Sequence, residues 1–370
     1  MATAAAATES PEAGVEQFDT IVIGGGQAGL SLGYYLKQLG RPFVILDANE
    51  QIGGSWRTRT WDSLRLFTPA RLNGLPGWPF PAPAWAFPTA RETAAYLEAY
   101  AERFELPVRT GLRVDRLSRN SNGFLVESGE SSFEASSVVI ATGFYGTPAI
   151  PSFADELDPR IVQMHSSEYR DPSQLAPGDV LIVGAGNSGA DIAMELSQTR
   201  RTWLSGPDKG QVPIRIESRL AHVVLPVLWF VASHVLTVRT PIGRKVKPKI
   251  LAHGAPRVRV KTDDLDGAGV MRTPRTTGVS NGLPVLADGR ALEVANVIWA
   301  TGFRHDYDWI DVPVFDGASA PVHERGVSSE PGLYFLGLDF LYSATSENVG
   351  GVGRDAKYIA RRIGRRTIAA

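Results

Sequence analysis

The stretch FDTIVIGGGQAG, residues 18–29, decides how this chain folds. FDTIVI reads as a buried strand, because β-branched and aromatic side chains crowd it and a glycine turn bounds it. Gly24, Gly25, Gly26, Gln27, Ala28 and Gly29 form that turn. LSLGYYLKQL follows with apolar residues at helical spacing and stops at Gly40, and a second β-branched run, residues 43–46, closes on Asp47. Gly24 permits the tight turn, Gly26 lets the backbone approach a pyrophosphate, and Gly29 lets the helix pack close to the strand. The helix start at Gln27 and Ala28 offers free N–H groups and a positive dipole end to phosphates. At the end of the second strand, the Asp47 carboxylate is placed to accept hydrogen bonds from both ribose hydroxyls. The glycines alone would also fit a tight turn of no function. The strand before, the helix after and the acid at its distance point to a bound dinucleotide.

The same device occurs a second time. VLIV, residues 180–183, runs into Gly184, Ala185, Gly186, Asn187, Ser188 and Gly189, then into the helix ADIAMELSQ and a strand at 201–204 that ends on Ser205 and Gly206. No acid stands at that strand end. Ser205, with Arg200, Arg201 and Lys209 nearby, would accommodate a 2′-phosphate that an acid would repel, which favours NADP over NAD. The other reading makes Arg200 and Arg201 an ordinary solvated helix C-terminus. Two dinucleotide sites in one chain suggest a relay from a nicotinamide hydride to a flavin, and hydride transfer requires near-contact geometry. Two further stretches, SVVIATGFYG (137–146) and VIWATGFRHD (297–306), each read as a buried strand entering a glycine turn. They add Ala141, Thr142, Gly143, Thr301 and Gly302 to the cofactor-binding candidates. GLYFLGL (332–338) reads as a last strand. The helix after it is expected to aim its N-terminus at the flavin and stabilise negative charge there.

The expected fold is therefore α/β and three-layered: two Rossmann-like dinucleotide-binding domains, the NADP domain inserted into a discontinuous FAD domain. Residues 1–17 read as a disordered leader, 18–170 plus 312–370 as the FAD-binding domain, and 175–311 as the NAD(P)H-binding domain with an apolar helical insertion at 215–250. The length of 370 residues suits roughly two domains. A formal net charge of -1 gives no field for steering nucleic acid. With Cys 0, disulfides, redox dithiols and thiolate nucleophiles are all excluded. The six His lack metal-ligand spacing, so no metal site is expected. The Ala-rich start lacks the basic and apolar regions of a signal peptide. Residues 220–236 are apolar, but as a helix they reach only about 26 Å at ~1.5 Å per residue, against roughly 30 Å of hydrocarbon. They also contain His222, Pro226, Ser233 and His234. A buried helix pair, or the lining of a substrate tunnel, is favoured over membrane contact, so a cytoplasmic protein without stable membrane insertion is expected.

With these residues in view the chain resembles the flavin-containing monooxygenase superfamily, nearest the compact bacterial CzcO-like flavoproteins and related to the plant YUCCA enzymes. The resemblance covers residues 19–363. Its marks are GGGQAGL, GGSWR (53–57), WDSLRLFTPARLNGLPGWPFP (61–81), HSSEYR (165–170), GAGNSGADIA and the two ATGF turns, where the chain crosses between nucleotide domains. It implies FAD and NADPH as cofactors and a cycle in which NADPH reduces FAD and reduced flavin adds oxygen at C4a. That oxygen then passes to a small apolar molecule by N-, S- or Baeyer–Villiger oxidation. It implies that Gly53, Gly54, Ser55 and Trp56 wrap the FAD and that Thr68 sits near its ring. Val114, in the strand LRVDRL, would contact the adenine through its backbone, and Asn187 and Ser188 would lie between nicotinamide and flavin. Thr68 and Asn187 are the catalytic candidates.

The chain departs from the family pattern at Pro159 and Ile161 (an aromatic and a glycine before His165), at Pro69 (an Asn after Thr68) and at Pro207 (a basic residue). Two alternatives stay open: an NAD(P)H oxidase or reductase feeding oxygen, a quinone or a protein partner, and a non-catalytic nucleotide-binding sensor. A homodimer is compatible with the sequence. His165 and Tyr169 read as linker-geometry or NADP-contact residues, as packing, or as acid–base groups. Trp78, Phe80, Trp85 and Phe87 read as a substrate-pocket wall, as core packing or as loop anchors.

Overall fold

The apolar run around Ile21 is paired on both sides. Glu16–Ile23 lies parallel to Phe43–Leu46 and to Ser131–Ile140. Ile21, Val22, Ile45 and Val138 have no exposed surface, as expected of parallel strands covered on both faces. The computed structural model describes residues 14–143, 146–253, 256–317 and 320–366. Ten strands form this first sheet. Val108–Arg109 extends it beyond Phe43–Leu46; on the other side Gly123–Ser128 adds antiparallel to Ser131–Ile140, and Arg116–Asn120 antiparallel to Gly123–Ser128. Leu333–Phe335 returns parallel to the end of Ser131–Ile140. The helices Gln27–Gln38 and Gly353–Gly364 pack against each other.

The second sheet has five strands, all parallel: Met271–Thr273, Thr202–Ser205, Val180–Val183, Asn296–Trp299 and Val162–His165, in that spatial order. Thr147–Pro148 pairs antiparallel with Phe303–Arg304, so the chain's outward and return passages lie side by side just past the two ATGF turns. An inserted second nucleotide unit is thus what the topology displays.

Three boundaries differ from expectation. Glu16 and Gln17, assigned to the leader, already pair with Phe133 and Glu134; residues 1–13 of that leader lie outside the described residues. Val162–His165, expected with the first unit, edges the second sheet, and Ile310–Asp311, expected with the second, pairs with Leu117 and Ser118 of the first. Short strands carry no mark of their long-range partner. Val114 lies between Val108–Arg109 and Arg116–Asn120, outside any strand. The insertion forms helices Ala221–Phe230 and Pro241–His253 joined by a wider π-type turn, Val231–Val235. It is not buried: only Ala221 and Leu225 of its first helix face the interior.

Candidate functional site: two dinucleotide elbows

The two glycine turns match nearly atom for atom. Gly24 and Gly184 adopt φ of 115° and 119°, a region that disfavours side chains. A Cβ on Gly24 would meet the Ala141 carbonyl oxygen at 2.4 Å, and one on Gly184 the Ala300 oxygen at 2.1 Å. A Cβ on Gly29 or Gly189 would lie 1.9 Å from the carbonyl oxygen of Gly24 or Gly184. These four glycines close the elbow. Gly26 and Gly186 do the opposite, because a Cβ there meets no atom within 4 Å. Each opens onto a cradle at the start of a helix that no side chain caps and that has no acid in its first turn. The free amides that begin a helix therefore face space able to hold a diphosphate.

Around the first cradle, Asp47 is almost fully buried. Its Oδ2 accepts the Gly25 N–H at 2.6 Å and its Oδ1 accepts both the N–H and Nδ2 of Asn49 at 2.7 Å. Three of a carboxylate's roughly four acceptor positions are thus filled. One acceptor position is left open, where two ribose hydroxyls were expected. Ala141 N–H donates to Ile23, placing the Ala141–Thr142–Gly143 turn against the elbow. Gln27 Nε2 reaches the Glu347 carbonyl at 3.3 Å. Burial pushes the Glu347 carboxyl up to about 8, a shift that no sequence motif announced. Gly53, with φ of 75°, lets the short Gly54–Thr58 helix, carrying Ser55 and Trp56, press against the Ala94 backbone.

The second cradle corrects two assignments. Ser205 is fully buried: its hydroxyl donates to the Pro274 carbonyl and accepts the Thr276 N–H, both at 2.8 Å, so it joins strands and is closed to a phosphate. Arg201 precedes the strand Thr202–Ser205, four residues from its elbow end, roughly 13 Å at ~3.3 Å per residue. It stacks over Trp203 and approaches Asp179. The cations at the elbow are instead Arg257 and Arg272, which line a small cavity with Ala185, Leu204, Gly206 and Asp208. The buried Arg257 lies 3.2 Å from Asp208, and its Nε has no partner. The hydroxyls of Thr273 and Thr301, at carboxyl ends of strands of this sheet, are also buried without a partner, and such strand ends are where open α/β sheets receive ligands. Both cradles fit a dinucleotide.

One strap of chain touches both Asn187 and the loop that leads to Thr68. The Asn187 amide is held by it, Oδ1 accepting the Val258 N–H at 2.9 Å and Nδ2 donating to the Pro256 carbonyl at 3.3 Å. One residue on, Arg259 donates to the Leu66 carbonyl at 2.6 Å, two residues before Thr68. Asp191, a turn after Asn187, has its carboxyl raised to about 6 by burial, opposed by Arg259. Thr68 Oγ1 donates to Asn73 Oδ1 at 2.7 Å, and Asn73 Nδ2 returns to the Thr68 carbonyl. An amide therefore stands beside Thr68 despite Pro69; it comes from Asn73, five residues after Thr68, where the family pattern does not place it. His165 Nδ1 accepts the Ser167 N–H while Nε2 meets the Gly302 carbonyl at 3.0 Å. Burial lowers its pKa, and the neutral Nε2–H tautomer satisfies both contacts. It fixes the second ATGF turn.

The chain is similar to known proteins over nearly its whole length. The profile of the pyridine nucleotide-disulphide oxidoreductases matches residues 21–210. An uncharacterized CzcO-like oxidoreductase of Geobacillus kaustophilus is 41% identical over 93% of this chain and 98% of its own. The probable indole-3-pyruvate monooxygenase YUCCA3 of Arabidopsis thaliana is 27% identical over 94% of this chain and 86% of its own. Among solved structures, a variant flavin monooxygenase of Stenotrophomonas maltophilia shares 30% identity with a TM-score of 0.78, covering 95% of this chain and 99% of that one. On fold, duplicated elbows and these relatives, the chain belongs to the pyridine nucleotide-disulphide oxidoreductase family, among its CzcO-like and flavin-monooxygenase members, and is a flavin-dependent oxidoreductase.

Proposed function

We propose that the chain is an NADPH-dependent flavoprotein monooxygenase acting with molecular oxygen on a small apolar molecule. The observation that carries this reading is the pair of open elbows joined by paired crossing strands. FAD belongs on Gly24–Gly29, its diphosphate against the amides of Gly26, Gln27 and Ala28 and one ribose hydroxyl on Asp47. Gly54, Ser55, Trp56, Thr68, the Val114 backbone and the Ala141, Thr142 and Gly143 turn complete its surroundings. NADPH belongs on Gly184–Gly189, with Gly186, Asn187 and Ser188 at the diphosphate, Thr301 and Gly302 beside it, and Arg257 and Arg272 at the 2′-phosphate. When bound, FAD accepts a hydride from NADPH and passes the electron pair to oxygen. The protein's part is to orient the two rings and to exclude water. Asn73 fixes Thr68, and the 256–259 strap holds both Asn187 and the Leu66 carbonyl. A chain without cysteine passes no electrons through its own dithiol.

The oxidase reading has one observation in its favour: Pro69 has no N–H and no polar side chain beside Thr68. Stopped-flow mixing of NADPH-reduced protein with oxygen separates the two. A long-lived absorbance unlike oxidised or reduced flavin supports the monooxygenase. Immediate return of the oxidised spectrum with stoichiometric peroxide would replace it with the oxidase.

A further inference from the structure

The helical insertion is unlike the rest of the molecule in charge and in what it exposes. The chain as a whole has Lys+Arg 38 against Asp+Glu 39. Residues 218–262 hold nine Lys and Arg and no acid at all. Three of the nine, Arg257, Arg259 and Lys261, turn inward to Asp208, the Leu66 carbonyl and the Val212 carbonyl. The rest belong to the insertion. Along Ala221–Phe230 and the residue before it, Leu220, Val223, Val227 and Phe230 are 61%, 68%, 57% and 58% exposed. Spacings of three, four and three place them on one helix face, opposite the buried Ala221 and Leu225. The outward side of Pro241–His253 carries exposed Arg244, Lys245 and Lys249, flanked by Ile242 and Leu251 at 57% and 51% exposure. No helix among the described residues is long and apolar enough to cross a membrane. The stripe runs only about 15 Å, a length that lies along an interface.

We propose that this insertion docks the protein on an anionic lipid surface, the Leu220–Phe230 stripe entering the headgroup boundary and the cations of the second helix meeting lipid phosphate. Apolar stripe and basic face together are the pattern of a helix lying in that boundary. A second copy of the chain is the poorer occupant, because a two-fold contact would set the exposed Arg244, Lys245 and Lys249 against their own copies, with no acid among residues 218–262 to answer them. The insertion is also tied down: Val238 N–H donates to Tyr342 and Ala344 N–H to Leu236, at 2.9 and 3.1 Å.

The test is co-sedimentation of the full chain with phosphatidylglycerol–phosphatidylcholine vesicles and with phosphatidylcholine vesicles alone. Binding is expected to the first only and to fall as salt rises. Val223→Ser with Val227→Ser, at exposed positions that leave the core intact, should abolish it. Arg244→Gln with Lys245→Gln should weaken it roughly 30-fold, at about 1 kcal/mol per cation near an anionic surface. No binding to anionic vesicles, or a dimer on light scattering that the valine substitutions dissolve while vesicle binding is absent or unchanged, would overturn the proposal.

Discussion

Gly26→Ala and Gly29→Ala should fail in opposite ways, although the two glycines lie three residues apart in one elbow. A methyl on Gly29 would sit 1.9 Å from the Gly24 oxygen, where ordinary contact begins at 3.4 Å. The helix would have to move about 1.5 Å off the strand, an overpacking cost of roughly 3 kcal/mol. At roughly 2–4 °C per kcal/mol for a chain of this size, the melting temperature should drop by about 6–12 °C. A methyl on Gly26 meets no protein atom, and its backbone φ of -79° suits alanine. The stability of the flavin-free protein should stay within about 1 kcal/mol, because a weaker N-cap and a stiffer unfolded chain nearly cancel. That methyl does enter the phosphate cradle. Losing one charge-assisted hydrogen bond costs about 2 kcal/mol, so the FAD Kd should rise roughly 30-fold, and Gly26→Val should abolish binding. Flavin-fluorescence titration and melting of stripped protein read the two effects separately. If Gly26→Ala melts as early as Gly29→Ala, or keeps FAD within about threefold of the parent, the cradle is misassigned.

Asp47→Asn should weaken FAD roughly tenfold, since an amide cannot accept all three hydrogen bonds the carboxylate now takes; titration checks it. Arg272→Ala should raise KM for NADPH roughly tenfold and leave that for NADH unchanged, because it removes a cation paired to a phosphate that only NADPH carries. Steady-state kinetics with both coenzymes decide, and equal losses would remove Arg272 from the phosphate site. Burial lowers the His323 pKa from 6.5 to about 4, and its Nδ1 accepts the Gly326 N–H. As pH falls below 6.5 the unfolded chain takes up this proton first. Stability should therefore be lost between pH 6.5 and about 4, by up to on the order of 3 kcal/mol. Denaturant melts across that window should show a shallower loss for His323→Gln.

The parts of this fold that were legible in the sequence are those written locally. Both elbows, their strands and helices, the acid at 47 and the ATGF turns depend on residues within about one βα unit, where steric need and spacing coincide. What escaped is set by distance. Arg257 and Arg272 reach the second elbow from about 70 to 90 residues downstream in sequence, where no spacing rule links them to the nucleotide, whereas the adjacent Arg201 proved to stand at the wrong end of its strand. Asn73 supplies an amide beside Thr68 from five residues on, not from the next position where the family pattern has it. Ser205 has the right place in the chain but spends its hydroxyl inside the protein. The apolar composition of 220–236 suggested burial because composition does not say which face finds a partner. Only the packing reveals that Val223 and Val227 point outward.

The central claim is that one chain holds two nucleotides, each on its own elbow, in electronic contact. Anaerobic NADPH titration of the parent protein, of Gly26→Val and of Gly186→Val tests it most directly. The parent should bleach at one NADPH per flavin. Gly26→Val should be colourless, and Gly186→Val should stay yellow and resist bleaching at parent-saturating NADPH. A Gly186→Val protein that bleaches as readily as the parent would contradict the second site and the relay with it.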